Sequence, residues 1–234
     1  MKKKTIRKEL QRAWTKGSSA YGSVTALQKA TGLDRNIVEE FLHSKDSYTK
    51  HYIPRKQNFA RQSAFASKPN QIWCMDVAYM EKTANPNDGV KYLLVCVDVF
   101  TRFVRARPIT TLRSEGAKEA LSNMINDEDD YPGKIWTDRG REFMGAFKVF
   151  CDSLGCEIYH TNSDTKAAYA ERAIRSLKAL IAKYLEENWL WRYIDKLDYF
   201  LDIMNSRENR STGLAPEKVT KEHARLLLNK KPRV

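Results

Sequence analysis

Three acidic residues stand in local settings that suit chemistry at a phosphodiester: Asp76 in QIWCMDVAYM, Asp138 in KIWTDRGREF and Glu171 in KAAYAERAIRSLK. Asp76 lies inside an apolar, β-favouring run of Ile72, Trp73, Cys74, Met75 and Val77, which predicts a buried strand with a carboxylate facing a cleft. Asp138 ends a second such run, Ile135 to Thr137, which Arg139-Gly140 breaks. It is therefore expected at a strand's carboxyl end, where open α/β sheets keep their sites. Glu171 belongs to a stretch from Lys166 to Glu187 without Gly or Pro, in which Ala170, Ile174, Leu177, Ile181 and Leu185 recur near the helical period.

Carboxylates of this kind hold hard divalent cations such as Mg²⁺ or Mn²⁺. Two ions about 4 Å apart stabilise both the attacking and the leaving oxygen of an in-line displacement at phosphorus. No protein nucleophile is then needed. Arg175 and Lys178 follow Glu171 by four and seven residues and so share its helix face, a placement that suits a phosphodiester bound beside metal. Spacing alone leaves a second reading open, in which the three acids are unrelated.

These segments resemble the retroviral-type integrase catalytic core, the DDE group of the ribonuclease H-like superfamily. The resemblance rests on Trp73 to Asp76 as Trp-x-x-Asp, the run KYLLVCVDVFTRF, the TDRGREF box, the AERAIRSLK helix and the late segment NSRENRSTGLAPEKV, in that order between Gln71 and about Pro216. A narrower likeness, to integrases of Polinton or Maverick type and related eukaryotic elements, rests on VTALQKATGLDRNIVEEFLHSKDSYTKHYIPRKQNFAR. The resemblance implies an α/β ribonuclease H-like core, a mixed five-stranded sheet flanked by helices. It makes Asp76, Asp138 and Glu171 the catalytic, metal-binding triad for two Mg²⁺ or Mn²⁺ ions. Asp98, which precedes the Thr101-Arg102 turn, is not the counterpart of a ligand and is expected to bond turn amides or Arg102. Glu142 looks like a structural or phosphate-adjacent acid.

Two features depart from the family pattern. Retroviral-type integrases carry an N-terminal zinc domain with paired histidines and cysteines, whereas the only histidines before residue 70 here are His43 and His51, without cysteines. No structural zinc is expected. The segment Ser163 to Tyr169 resembles the mobile active-site loop but lacks the glycine many relatives carry, and Glu171 follows Asp138 by 33 residues, fewer than the commonest spacing.

Composition bounds the rest. With 234 residues, 42% of them hydrophobic, and five Trp, the chain can bury one substantial core plus a small appendage. No apolar run approaches the roughly 20 residues that span a bilayer, and the lysine-rich start is unlike a secretory signal. An intracellular, soluble protein without a membrane partner is expected, nuclear in a eukaryotic host if it acts as the resemblance implies. Cys74, Cys96, Cys151 and Cys156 form no CxxC and are expected as reduced, packed thiols. Residues 1–70 hold 15 of the 41 Lys and Arg but only 5 of the 29 Asp and Glu, so most of the net charge of +12 lies there. Such a segment suits phosphate-backbone contacts, or alternatively a solvated surface.

The elements that position the acids follow from the same patterns. Residues 1–50 read as a basic helical module, with Ser23 and Asp34 as N-caps and Gly32 between two short helices. That pattern is helix-turn-helix-like, which leaves groove reading and a packing or oligomerisation role both open. Residues 51–70, with Pro54 and Pro69, read as an extended linker, 71–209 as the core and 210–234 as a C-terminal segment with a basic tail. The C-terminal SH3-like or chromo-type domain common in integrases has no counterpart, which leaves a fragment, a truncated copy and a compact member all open. Within the core, strands are expected around Asp76, at Tyr92 to Val99, Phe103 to Ile109, Lys134 to Thr137 and Glu157 to His160, with a crossover helix at Ser114 to Asn126. The acidic run Asp127 to Asp130 reads as a solvated loop. Trp189 to Asn205 is expected to be helical, with a core stripe through Leu190, Ile194, Leu197, Leu201 and Met204 and surplus aromatics for an oligomer contact.

The expected function is that of a transposable-element or virus-like integrase. Water attacks the element's DNA end, the freed 3′-hydroxyl attacks target DNA, and Arg175, Lys178, Lys166 and Arg172 contact the backbone. Joining two ends implies a homo-oligomer. The alternatives are a domesticated or inactive DNA-binding derivative and a ribonuclease H-like nuclease that does not join.

Overall fold

Four helices, α1 (Lys3–Thr15), α2 (Val24–Thr31), α3 (Arg35–His43) and α4 (Asp46–Thr49), precede the strand β1 (Ile72–Tyr79) that carries Asp76. The structure is a computed structural model that describes residues 3–51, 66–128, 131–160 and 168–228; most of the expected linker and of the expected active-site loop lie outside them. Side chains alternate across a strand, and in β1 both alternating sets are covered. Trp73, Met75 and Val77 join one apolar cluster with Leu121, Met124, Phe143 and Phe147, while Cys74 and Ala78 join another with Ala170, Ala173 and Leu177. A strand buried on both faces belongs in the interior of a sheet, and β1 is the central member of five, in the order β3-β2-β1-β4-β5.

Its neighbours follow from the connections. β2 (Tyr92–Asp98) and β3 (Val104–Ile109) are reached through turns and run antiparallel. β4 (Lys134–Thr137) and β5 (Glu157–His160) run parallel, which requires crossovers, supplied by α5 (Ser114–Glu128) and α6 (Gly145–Ser153) on one face. On the other face lie α7 (Ala168–Asn188), which carries Glu171, and α8 (Leu197–Ser206); the short α9 (Ala224–Leu228) follows. Asp98 is structural, as expected: one oxygen accepts the N–H groups of Phe100 (2.7 Å) and Thr101 (3.3 Å), and the other accepts that of Asn70 (2.7 Å). The four cysteines are buried and free, and no described helix is long and apolar enough to cross a membrane.

One expected helix is broken. α7 stops at Asn188, Trp189 turns into the left-handed region at φ 56, and the next α-helix starts only at Leu197. The cause lies about a hundred residues upstream. Buried Asn87 accepts the N–H groups of Tyr193 (2.7 Å) and Ile194 (3.0 Å) and donates to the carbonyl of Trp191 (3.0 Å), so the backbone groups a helix would use are taken. Leu190, expected in the core stripe, is 45% exposed, beside Trp189 at 87% and Trp191 at 75%.

The N-terminal helices follow their caps. Ser23 Oγ accepts from the N–H of Ala26 (3.4 Å), Asp34 Oδ1 accepts from that of Asn36 (2.8 Å), and Gly32 closes α2 at φ 67. They dock onto the far end of α7. Lys183 donates to the carbonyl of Tyr21 (3.1 Å) with its ammonium over the rings of Tyr48 (5.5 Å) and Trp14 (5.9 Å). One turn later Glu187 accepts from Lys45 (2.9 Å), Ser47 (2.8 Å) and Gln11 (3.2 Å). Burial opposes the charge of Glu187, but these donors outweigh it and hold its pKa below the usual value. Glu187→Ala leaves Lys45 without its partner, and equilibrium denaturation is expected to show a loss of about 1–3 kcal/mol; an unchanged midpoint would mean that the Glu187 contacts add nothing to the docking.

Candidate active site

Parallel pairing brings the first two acids together. Cys74 of β1 stands opposite Trp136 of β4. Paired residues point to the same face and the period is two, so the next positions on that face are Asp76 and Asp138, on chains about 4.8 Å apart. Asp138 lies just past the end of β4, exposed, with Oδ1 accepting the N–H of Gly140 at 2.9 Å. The strand end is held from β5: His160 Nδ1 lies 3.0 Å from the Asp138 carbonyl oxygen and 3.2 Å from Thr137 Oγ1. His160 thus supports the backbone of the site, while Thr161 and Asn162 after it lie outside the described residues.

Glu171 enters from above the sheet. It sits in the first turn of α7, half-buried, because Tyr169, Ala170 and Ala173 pack that turn into the core beneath it. Its proximity to Asp76 registers electrostatically. The Asp76 carboxyl is pushed up from 3.8 to about 6, first by burial and then by the charges of Asp138, Glu171 and Glu142, against a hydrogen bond from the N–H of Val77 (2.8 Å).

Glu142 is a fourth acid of this field, read from the sequence as structural or phosphate-adjacent. It lies in a 3-10 turn, Arg141–Phe143, only 8% exposed, and burial followed by the charge of Asp138 raises its pKa. A Cβ on Gly140 would stand 2.5 Å from Glu142 Oε1, so a side chain there would displace this carboxylate from its present position. That spacing was the available signal. At the lip of the same region Tyr79 is 55% exposed, edge-on to Tyr92 with ring centroids 5.4 Å apart.

The cations expected at DNA are disposed differently. Arg175 and Arg172 are exposed on α7, the latter with its guanidinium 4.9 Å from the centre of the Tyr169 ring. Lys178 is partly buried and donates to the carbonyl of Tyr79 (2.8 Å), and burial lowers its pKa. Lys166 lies outside the described residues. The three acids share one electrostatic field, and their all-oxygen chemistry fits a hard divalent cation. Among the described residues, however, no three His, Cys, Asp or Glu side chains are gathered tightly enough to hold a metal ion.

Comparison with known proteins agrees with this architecture. Residues 66–179 match the integrase core domain family. A transposon-derived protein of Caenorhabditis elegans is 30% identical over 138 residues, which is 58% of this chain and 48% of that protein. The transposase InsF of insertion sequence IS3fB from Escherichia coli K12 is 33% identical over 126 residues, 53% of this chain and 42% of the transposase. The chain thus spans less than half the length of either relative. Among solved structures, a chain of the simian T-cell lymphotropic virus intasome in complex with PP2A regulatory subunit B56 gamma aligns with 98% of this chain and 76% of its own, at TM-score 0.59 and 22% identity. The HTLV-2 integrase catalytic core domain in complex with magnesium aligns with 65% of this chain and 97% of its own, at TM-score 0.55 and 23% identity. At those identities the two structures speak for the fold. Residues 66–179 thus match an integrase core domain, and the sheet that carries them shares its ribonuclease H-like fold with the retroviral integrase structures.

Proposed function

We propose that this chain is a divalent-metal-dependent DNA integrase, with Asp76, Asp138 and Glu171 as the residues that would hold Mg²⁺ or Mn²⁺. The observation that carries the reading is the carboxylate of Asp76, half-buried in the central strand within the combined field of Asp138, Glu171 and Glu142. That repulsion is what cation binding would relieve. The magnesium in the HTLV-2 core is consistent with it. When bound, such ions supply Lewis-acid activation of the attacking oxygen and neutralisation of the leaving one.

The chain's own residues account for the remainder. A water oxygen attacks phosphorus at the element's end and releases a 3′-hydroxyl; that hydroxyl then attacks a target phosphodiester and displaces the target's 3′ oxygen. Arg175 and Arg172 on the exposed face of α7 would hold phosphates of the bound strand, and Lys178 braces the end of β1 from the same helix. Further from the chemistry, Lys4, Lys8 and Arg12 form an exposed stripe at four-residue spacing on α1, opposite buried Leu10 and Trp14. This stripe suits the DNA backbone. The intasome and the trimeric core among the structural neighbours support assembly of several copies; action on a eukaryotic host's DNA would place them in the nucleus.

An oligonucleotide carrying the element's end, incubated with Mg²⁺ or Mn²⁺ and target DNA, is expected to give joined products. Simple nicks would instead indicate a nuclease, and gel retardation alone an inactive binder. Asp138→Asn is expected to abolish joining and keep retardation; undiminished joining would remove Asp138 from the site. The double variant Lys8→Gln with Arg12→Gln should flatten the salt dependence of DNA binding by about 1–2 units of the log–log slope, and an unaltered slope would exclude the α1 stripe. For Asp76 the folded pKa of about 6 exceeds 3.8, so its ionisation costs stability as pH rises through that window. Metal-free Asp76→Asn should therefore unfold at a higher temperature than wild type near neutrality, with the gap closing as pH falls from about 6 to about 4. A gap independent of pH would contradict the crowding of acids around Asp76.

A further inference from the structure

Glu171 is carried by the first turn of a helix, and first turns fray because their N–H groups have no partner within the helix. Two ties hold this one. The first is Cys74, two residues before Asp76 and on the same face of β1. Its buried thiol is hydrogen-bonded to the backbone of Ala170 and Tyr169 and is pushed up to about 11 mainly by burial. The second is Tyr169, only 8% exposed, whose ring is stacked by two guanidinium groups. That of Arg102 lies 4.3 Å from the ring centroid and that of Arg172 lies 4.9 Å from it. Arg102 also shares a side-chain hydrogen bond with Tyr169 and donates to the carbonyl of Val99.

Arg102 is an unusual occupant of its position. It sits at φ 70 in the turn between β2 and β3, where its N–H donates to the carbonyl of Asp98 at 2.9 Å. Glycine adopts that conformation without penalty, whereas an L side chain is strained there, and strain of this kind persists where the side chain is needed. Arg102 is partly buried, with its guanidinium turned to the Tyr169 ring, and burial lowers its pKa. What it does contact is the residue two positions before Glu171. The turn beneath it is in turn fixed by the amide bonds to Asp98.

We propose that Arg102 and Tyr169 are positioning residues for Glu171: the stacked Arg102–Tyr169–Arg172 unit, with Cys74, clamps the first turn of α7 to the sheet so that Glu171 is presented to Asp76 and Asp138. This rests on the reading of Glu171 as a metal-site residue, but the clamp itself can be measured without metal. Arg102→Gly is the informative variant, since it removes the side chain and suits the backbone. Tyr169→Leu removes the ring, and Tyr169→Phe keeps the stack.

The test is amide hydrogen exchange of residues 169–173 in metal-free protein, with the Mn²⁺ dependence of joining and the Kd for DNA measured beside it. In Arg102→Gly and Tyr169→Leu, exchange of the first turn is expected to accelerate about tenfold relative to wild type while the amides of β1 and β2 stay protected. Half-saturating Mn²⁺ should rise about tenfold, the conversion expected when a site's preorganisation is lost, and by a larger factor than the Kd for DNA, to which Arg172 contributes. Tyr169→Phe should restore wild-type exchange and Mn²⁺ dependence to within about threefold. Wild-type exchange at residues 169–173 in both Arg102→Gly and Tyr169→Leu would overturn the clamp, and an equal loss in Tyr169→Phe would overturn the ring stack as its holding contact. If exchange accelerates as expected but wild type neither nicks nor joins DNA, the clamp stands as a structural device, and it is the reading of the chain as an active integrase that fails.

Discussion

Parallel pairing of β1 with β4 is the constraint on which the rest of the molecule depends. Two strands that run the same way and lie side by side present equivalent positions on one face, and the Cys74–Trp136 register makes the next such positions Asp76 and Asp138. A parallel pair cannot be closed by a tight turn, so the chain must leave the sheet through α5 and return, and that helix covers the face opposite the acids. The acids are left on the face that α7 and α8 cover, where the first turn of α7 brings Glu171. Their meeting point is thus a property of the sheet's topology, and β1 accepts a poorly solvated carboxylate in the middle of an otherwise apolar strand as the consequence.

α7 joins two tasks in one element. Its amino end carries Glu171 over the sheet, and its carboxyl end receives the N-terminal helices through Lys183 and Glu187. The 16 residues from Glu171 to Glu187 span about 24 Å of helix, so the basic α1 stripe and the acids are held at a set separation by one rigid rod. The interior of the N-terminal helices, Leu10, Trp14, Leu27, Val38 and Leu42, is continuous with the α7 side of the sheet's core. Aromatic packing around Trp14 and Tyr21 fills the centre of this helical unit.

Much of this was legible along the chain because it depends on neighbours in sequence. The strand and helix periods of Ile72 to Val77 and of Ala170 to Leu185, the caps at Ser23 and Asp34, and the turn chemistry after Asp98 are short-range signals, and the structure follows them. The failure at Trp189 to Tyr193 is of a different kind. A helical stripe runs through those residues, yet Asn87 takes their backbone groups, and no pattern within Trp189 to Asn205 registers a competitor so far upstream. Glu142 was visible in the TDRGREF box, but its burial against Gly140 was not.

By itself the sequence determined which acids were candidates for the site and on which elements they stand, since residue type, strand or helix period and breaker positions are local quantities. Only the tertiary structure decided that Asp76, Asp138, Glu171 and Glu142 share one field, that Lys178 turns to the carbonyl of Tyr79, and that Arg102 reaches back to stack on Tyr169. Each of these joins segments far apart in the chain. Their proximity is set by strand order, register and burial, which emerge when the apolar faces of all the elements are packed at once.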